Sequence, residues 1–193
     1  ASRRPSRALL LTAIGAALGT AGPSALGAYL VASAVDVGIG EGTAGILAAF
    51  ASGLSLATRI TLGARADRRR DYGLAAVVVL LAAGSLGFAL MSSHAEAVFV
   101  LGALVAFTLG WGWPGLFNLA VVDSNRDTPG SASGVSQTGI YVGAAFGPAA
   151  FGLLAHASGY GTAWAAVAVM TLLSAGVLWL ARRETTAAAR ISA

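Results

Sequence analysis

Residues 59–72 read RITLGARADRRRDY, and the reading of this stretch decides the fold. It places five arginines and two aspartates in fourteen residues of a chain that is otherwise almost uncharged. Residues 44–58 before it and 73–92 after it are close to wholly apolar. A short charged hinge between two such runs reads as a tight water-facing loop joining two membrane-spanning helices.

The rest of the composition agrees. Only 10% of the 193 residues are charged and 56% are hydrophobic, whereas a soluble domain carries about 25% charged residues, so an ordinary soluble fold is excluded. The net charge of +4 comes from twelve arginines and no lysine. Membrane orientation accounts for that charge, and no nucleic-acid partner is expected. Cysteine is absent, which removes disulfides, thiolate metal sites and a cysteine nucleophile. His94 and His156 are far apart in expected loops and match no metal-binding spacing, so neither a metal nor a cofactor is expected. There is no G-x-x-x-x-G-K-[ST] phosphate loop and no G-x-S-x-G elbow, so neither ATP-driven pumping nor serine hydrolysis is expected of this chain.

Apolar runs of about 20 residues occur at 8–34, 44–62, 73–92, 97–122, 130–155 and 162–181. The first follows a basic SRRPSR start that resembles a signal peptide, but its apolar stretch is too long for one and reads as a first membrane helix. Kinks are expected at Gly22-Pro23 and Trp113-Pro114-Gly115. Alternate loops are basic. Arg3, Arg4, Arg7, Arg65, Arg68, Arg69, Arg70, Arg126, Arg182, Arg183 and Arg190 fall on one side, and Asp36, Glu41, His94, Glu96 and His156 on the other. The positive-inside rule then puts both termini in the cytoplasm of a bacterial cell whose plasma (inner) membrane the chain crosses in multiple passes. Segments three and six carry only Ser or Thr as polar residues, hydroxyls that can bond back to their own helix, so these two face lipid. Segments one, two, four and five hold Tyr29, Arg59, Trp111, Trp113, Asn118, Gln137 and Tyr141, which turn towards protein or a wet cavity. Two cavity helices followed by one peripheral helix, twice over, is the pattern of a three-plus-three inverted repeat. The expected architecture is an all-α membrane protein of six transmembrane helices. A basic segment, 1–7, precedes a membrane domain, 8–183, and a tail, 184–193, follows it.

Gly63-Ala-Arg65-Ala-Asp67-Arg68-Arg69-Arg70, between the second and third helices of a six-helix unit, resembles the G-x-x-x-D-R-x-G-R-R loop signature of the major facilitator superfamily. Gly143-Ala-Ala-Phe-Gly147-Pro148 and the SGYGTAW before the last segment are similar to the eleventh and twelfth helices of such transporters. Arg70 stands where the signature has its second glycine, so only Gly63, Asp67 and Arg68 are carried over, as a loop latch that holds one face closed. The resemblance implies one half of a twelve-helix fold and a secondary transporter that works by alternating access. Its partners would be a small-molecule solute, the lipid bilayer, and a missing amino-terminal six-helix half or a second copy of the chain.

Arg59 lies four residues before Gly63, about one turn or 6 Å deeper in the membrane. R-x-x-x-G at this place resembles the eighth helix of cyanate- and monocarboxylate-type permeases, which implies an anion, organic or inorganic, gripped by the guanidinium. Snorkelling to the headgroups is the other reading of the same residue. Trp111 and Trp113, with Phe117 and Asn118, either wall a cavity beside the proline or mark an interface belt. Gln137 and Tyr141 share one helix face and bond either a solute or neighbouring helices. The glycine pairs Gly15/Gly19, Gly130/Gly134, Gly139/Gly143 and Gly143/Gly147 allow close helix packing. A hydrophobic, drug-like solute and a non-transporting scaffold are the alternatives to an anion carrier.

Overall fold

The computed structural model describes residues 6–68 and 73–191, and its regular elements are all helices. They are α1 (Arg7–Asp36), α2 (Glu41–Arg68), α3 (Leu74–Met91), α4 (Glu96–Val105), a π-helical turn (Ala106–Gly110), α5 (Pro114–Ser124) and α6 (Pro129–Ile191). With α4 through α5 taken as one rod, five helices are long and apolar enough to cross a membrane.

Five rather than six arises because the fifth and sixth apolar segments are joined. Drawn straight, the 63 residues of α6 would reach about 95 Å at 1.5 Å each, three times a hydrocarbon core of about 30 Å. They are not straight. Gly159 has φ 83° and ψ 161°, a combination essentially reserved for glycine, and it separates two helical arms, 129–158 and 160–191. Along the first arm Gly139, Gly143 and Gly147 abut Ala13, Ala17 and Ala21 of α1 in rising order. Along the second, Leu178, Ser174 and Val167 abut Gly15, Gly19 and Gly22 in falling order. The arms therefore run in opposite directions on two sides of α1, with a single residue as the corner. His156, expected in a loop, is instead an exposed residue in the last turn of the first arm.

The glycines explain the closeness. A Cβ on Gly139, Gly143 or Gly147 would meet a carbonyl oxygen of α1, so these two helices touch backbone to backbone. Gly130 and Gly134 face open space and take no part. A second seam joins α3 to the α4 rod, where Gly84 faces Gly110, Gly87 faces Ala106, and Gly102 faces Gly87 and Met91.

The second arm buries Trp164, Val167, Ala168, Thr171, Ser174, Ala175 and Leu178 at helical spacing. It leaves Val169, Leu172, Leu173 and Leu180 exposed, an apolar outer face suited to lipid. Ser85 of α3 bonds back to Ala82 O at 2.7 Å, as expected of an isolated hydroxyl. Ser174 departs from that expectation and donates across to Gly15 O of α1 at 2.7 Å. The Trp164 indole N–H reaches Ser33 Oγ of α1 at 3.0 Å, so polar bonds as well as glycine contacts hold this arm.

Charge segregates in space. Ser6 caps α1, accepting the Leu9 N–H at 3.2 Å. Arg7, Leu74, Ser124, Asn125 and Glu184 line one pocket of about 310 Å³, so the starts of α1 and α3 and the ends of α5 and α6 share one end of the bundle. Ala66 packs in the same core cluster as Leu74 and brings the end of α2 there too. Arg7, Arg65, Arg68, Arg126, Arg182 and Arg183 thus gather at one end, while Ile39, Met91, Phe99 and Trp164 build the core of the other. The charged hinge is not a loop from Arg59 onward. Helix α2 continues to Arg68, because Gly63 alone does not break it and Arg65 and Arg68 complement the negative end of its dipole. Helix α6 runs on to Ile191.

Candidate functional site

The site grows out of the one buried stripe of α2. Ala44, Leu47, Ala51, Ser55 and Ala66 face the bundle, with Thr58, Arg59 and Leu62 half-buried between them, while Ile46, Phe50, Leu56 and Ile60 stay exposed. The stripe begins apolar and turns polar at Ser55 and Arg59. It does so opposite the place where the α4 rod comes apart.

That break has a plain cause. Pro114 has no N–H and its ring cannot continue a helix, so α5 restarts with Pro114 in its first turn. Upstream the chain widens into the π-helical turn Ala106–Gly110, and Trp111, Gly112 and Trp113 form the corner. Gly112 permits the approach of α2: a Cβ there would crowd Thr108 O and lie 3.5 Å from Thr58 Cγ2 and 3.6 Å from Leu62 Cδ1. The carbonyl of Trp111, left without a helical partner, accepts a hydrogen bond from Arg59 Nε–H at 3.0 Å. The guanidinium carbon also sits 4.9 Å from the centre of the Trp111 ring, within cation–π range.

Arg59 therefore reaches sideways to a neighbouring helix rather than down to the arginine end. Its partner Trp111 stands just before α5, whose 11 residues, Pro114–Ser124, rise about 16 Å towards that end. A guanidinium has five N–H donors; Nε–H is used, and the buried Nη2 has no partner. The ion pairs among the described residues are Arg7–Glu184 at 3.2 Å and Arg126–Asp123 at 3.6 Å, both at the arginine end. No carboxylate among the described residues pairs with Arg59. Ser52, Ser55, Leu56, Arg59, Phe107 and Trp111 line a cleft of about 140 Å³ beside it.

The other expected site residues fall into separate groups. Gln137 of the first α6 arm donates from Nε2 to Asn118 Oδ1 of α5 at 3.0 Å, which joins two of them in a side-chain pair. Tyr141, one turn beyond Gln137, is 69% exposed on the open side of the bundle. Trp113 is fully buried and packs edge-on against Phe117 at 5.3 Å. It faces the core rather than the cleft, because the corner at 111–113 turns the two tryptophans apart. Tyr29 lies against Phe151, 4.9 Å between ring centres, with its hydroxyl over Gly152, wedged between α1 and the first arm. Of the loop signature, Gly63 and Arg68 lie on the last turns of α2. Arg69, Arg70 and Asp71 lie outside the described residues, as do the side-chain surroundings of Asp67. Ser52, Ser55 and Phe107 were not singled out from the sequence, although Ser52 and Ser55 stand seven and four residues before Arg59 and so share its helix face.

The family model described as Major Facilitator Superfamily matches residues 8–193. No curated protein matches the chain.

Proposed function

This chain belongs to the major facilitator superfamily, whose members are membrane transporters, and we propose that it carries a small organic or inorganic anion that pairs with Arg59. One observation supports this above all: a half-buried guanidinium on an apolar helix, with a buried, unpartnered Nη2 and no paired carboxylate among the described residues. An isolated charge in such surroundings is costly and marks a pathway or a binding site. A negative solute would supply the missing counter-charge through charge-assisted hydrogen bonds. The narrower kinship with cyanate- and monocarboxylate-type permeases rests on the Arg59–Gly63 spacing.

In this reading the Gly159 corner makes α6 two crossings, giving six in all as a three-plus-three inverted repeat with the arginine end in the cytoplasm of a bacterial cell. Alternating access around Arg59 follows, with Gly63, Asp67 and Arg68 as a latch at the cytoplasmic end. A second six-helix unit, either an amino-terminal half or another copy, would cover the exposed apolar faces of α2 and of the first arm of α6. Ile46, Phe50, Ile60, Tyr141, Phe146 and Leu153 are all more than 60% exposed on those helices. Trp111, Asn118, Gln137 and Tyr141 would contribute to the solute path, while Trp113 in the core and Tyr29 between α1 and the first arm would shape it from behind.

Uptake of radiolabelled formate and acetate into proteoliposomes tests the reading. Arg59→Ala should lower uptake by about a hundredfold or more, the cost of removing one partner of a desolvated charge pair, and Arg59→Lys should restore it only in part. Unchanged uptake by Arg59→Ala would refute the anion site.

A further inference from the structure

On α2 the hydroxyls of Ser52, Thr58 and Thr61 behave alike. Each donates to the carbonyl four residues back, at 2.7, 2.8 and 2.6 Å, to Ala48, Leu54 and Ala57. This is the ordinary resting state of a hydroxyl in an apolar helix. Ser55 breaks the rule. It is 4% exposed, yet its buried Oγ has no hydrogen-bond partner. One turn further along the same face, Arg59 Nη2 is buried and unpartnered as well. Among the described residues only four side-chain polar atoms are in this condition, and two of them belong to residues that line one 140 Å³ cleft.

A buried polar group without a partner destabilises the folded chain. Two of them four residues apart, with Cβ atoms about 6 Å from one another, form donors held ready for one acceptor group. From this geometry we infer that Ser55 is a second anion-binding residue and sets the shape of the anion taken: a compact oxyanion offering two neighbouring oxygens, one to Arg59 Nη2 and one to the Ser55 hydroxyl. The site leaves Arg59 Nε–H on the Trp111 carbonyl, so the guanidinium binds through its far end and stays anchored to the bend. The cleft is smaller than the about 300–1,000 Å³ of ordinary ligand pockets, which favours formate or nitrate over bulky acids. A spherical anion such as chloride has one surface to offer and gains less from the second donor.

This inference rests on the Arg59 reading, and the test separates the two. Binding of formate and of chloride to the chain in lipid nanodiscs is followed by tryptophan fluorescence, which Trp111 reports from the cleft. Ser55→Ala should weaken formate binding about tenfold or more, the loss of one hydrogen bond to a charged group. Chloride binding should change much less, so that the preference between them flattens, and Ser55→Thr should restore most of the formate affinity. Without ligand, Ser55→Ala should melt about 2–4 °C higher than the parent, because an unpartnered hydroxyl is removed and helix propensity rises. That gain also shows that the variant folds. Formate affinity within twofold of the parent in Ser55→Ala, with binding lost in Arg59→Ala, overturns the role of Ser55 and leaves the Arg59 reading intact. Absence of saturable formate binding to the unmodified chain overturns both.

Discussion

The seam between α3 and α4 allows a worked prediction, because its tightest neighbours are backbone atoms that cannot rotate aside. A Cβ on Gly102 would lie 2.7 Å from Gly87 O, 2.8 Å from Met91 N and 2.9 Å from Leu90 Cβ. Ordinary contact begins at 3.4 Å, so Gly102→Ala forces the helices apart by about 0.7 Å (3.4 − 2.7). Overpacking of this kind costs about 1–3 kcal/mol, and alanine returns about 0.5–1 kcal/mol through its better helix propensity. The net loss of about 0–2.5 kcal/mol, set against a gain of about 0.5–1 kcal/mol where the new carbon meets nothing, should leave this variant melting about 1–14 °C below such a control at this chain length. Gly45→Ala is the matched control: it is also helical, with nothing within 4 Å of the new carbon, and should hold or raise the melting temperature. Heating both variants in detergent while following the fluorescence of the four tryptophans measures the difference. Equal melting temperatures for the two would refute the argument that backbone contact sets the spacing of this seam.

Two further outcomes are expected. Gly159→Ala places a Cβ on a backbone at φ 83°, ψ 161°, which should cost about 1–3 kcal/mol and be read as a lower melting temperature; an unchanged value would show that the corner does not need glycine. The chain has no cysteine, so single cysteines at His94 and Asn125 can be labelled cleanly in sealed vesicles. They should react from opposite sides with a membrane-impermeant thiol reagent, and reaction of both from one side would overturn the six-crossing topology.

Much of the architecture was legible because it depends on composition along the chain. Apolar length located the helices, arginine placement located one end of the bundle, and Pro114 located the break in the fourth rod. The contacts were less legible. The sequence displays Gly139, Gly143 and Gly147 at four-residue spacing, but the seam of Gly84, Gly87, Gly102 and Gly110 uses single glycines from two helices and has no repeat to recognise. Ser174 looks like any membrane serine until α1 is brought beside it. The reach of α2 to Arg68 was hidden because a run of arginines resembles a loop, although in the last turns of a helix such charges are favourable. At the site, Arg59 was visible as a lone charge in an apolar run. Its anchor was not, since a backbone carbonyl carries no residue signature and Trp111 O is free because it lies in the non-helical corner between the π-helical turn and α5. Trp111 and Trp113 look equivalent in sequence, yet one borders the cleft and the other fills the core.

The clasp of α6 around α1 carries a mechanical consequence. A rod held backbone to backbone on one flank, and on the other by Leu178, Ser174 and Val167 side chains seated on its glycines and by the Ser174 and Trp164 hydrogen bonds, cannot flex independently, so three of the rods form a stiff keel. Helix α2 is moored by a single narrow stripe, only 11% of its most apolar stretch being buried. Deformation of the bundle therefore concentrates in α2 and in the widened turn it leans on, where fewer contacts must break. Arg59 is the mooring line between those two compliant parts.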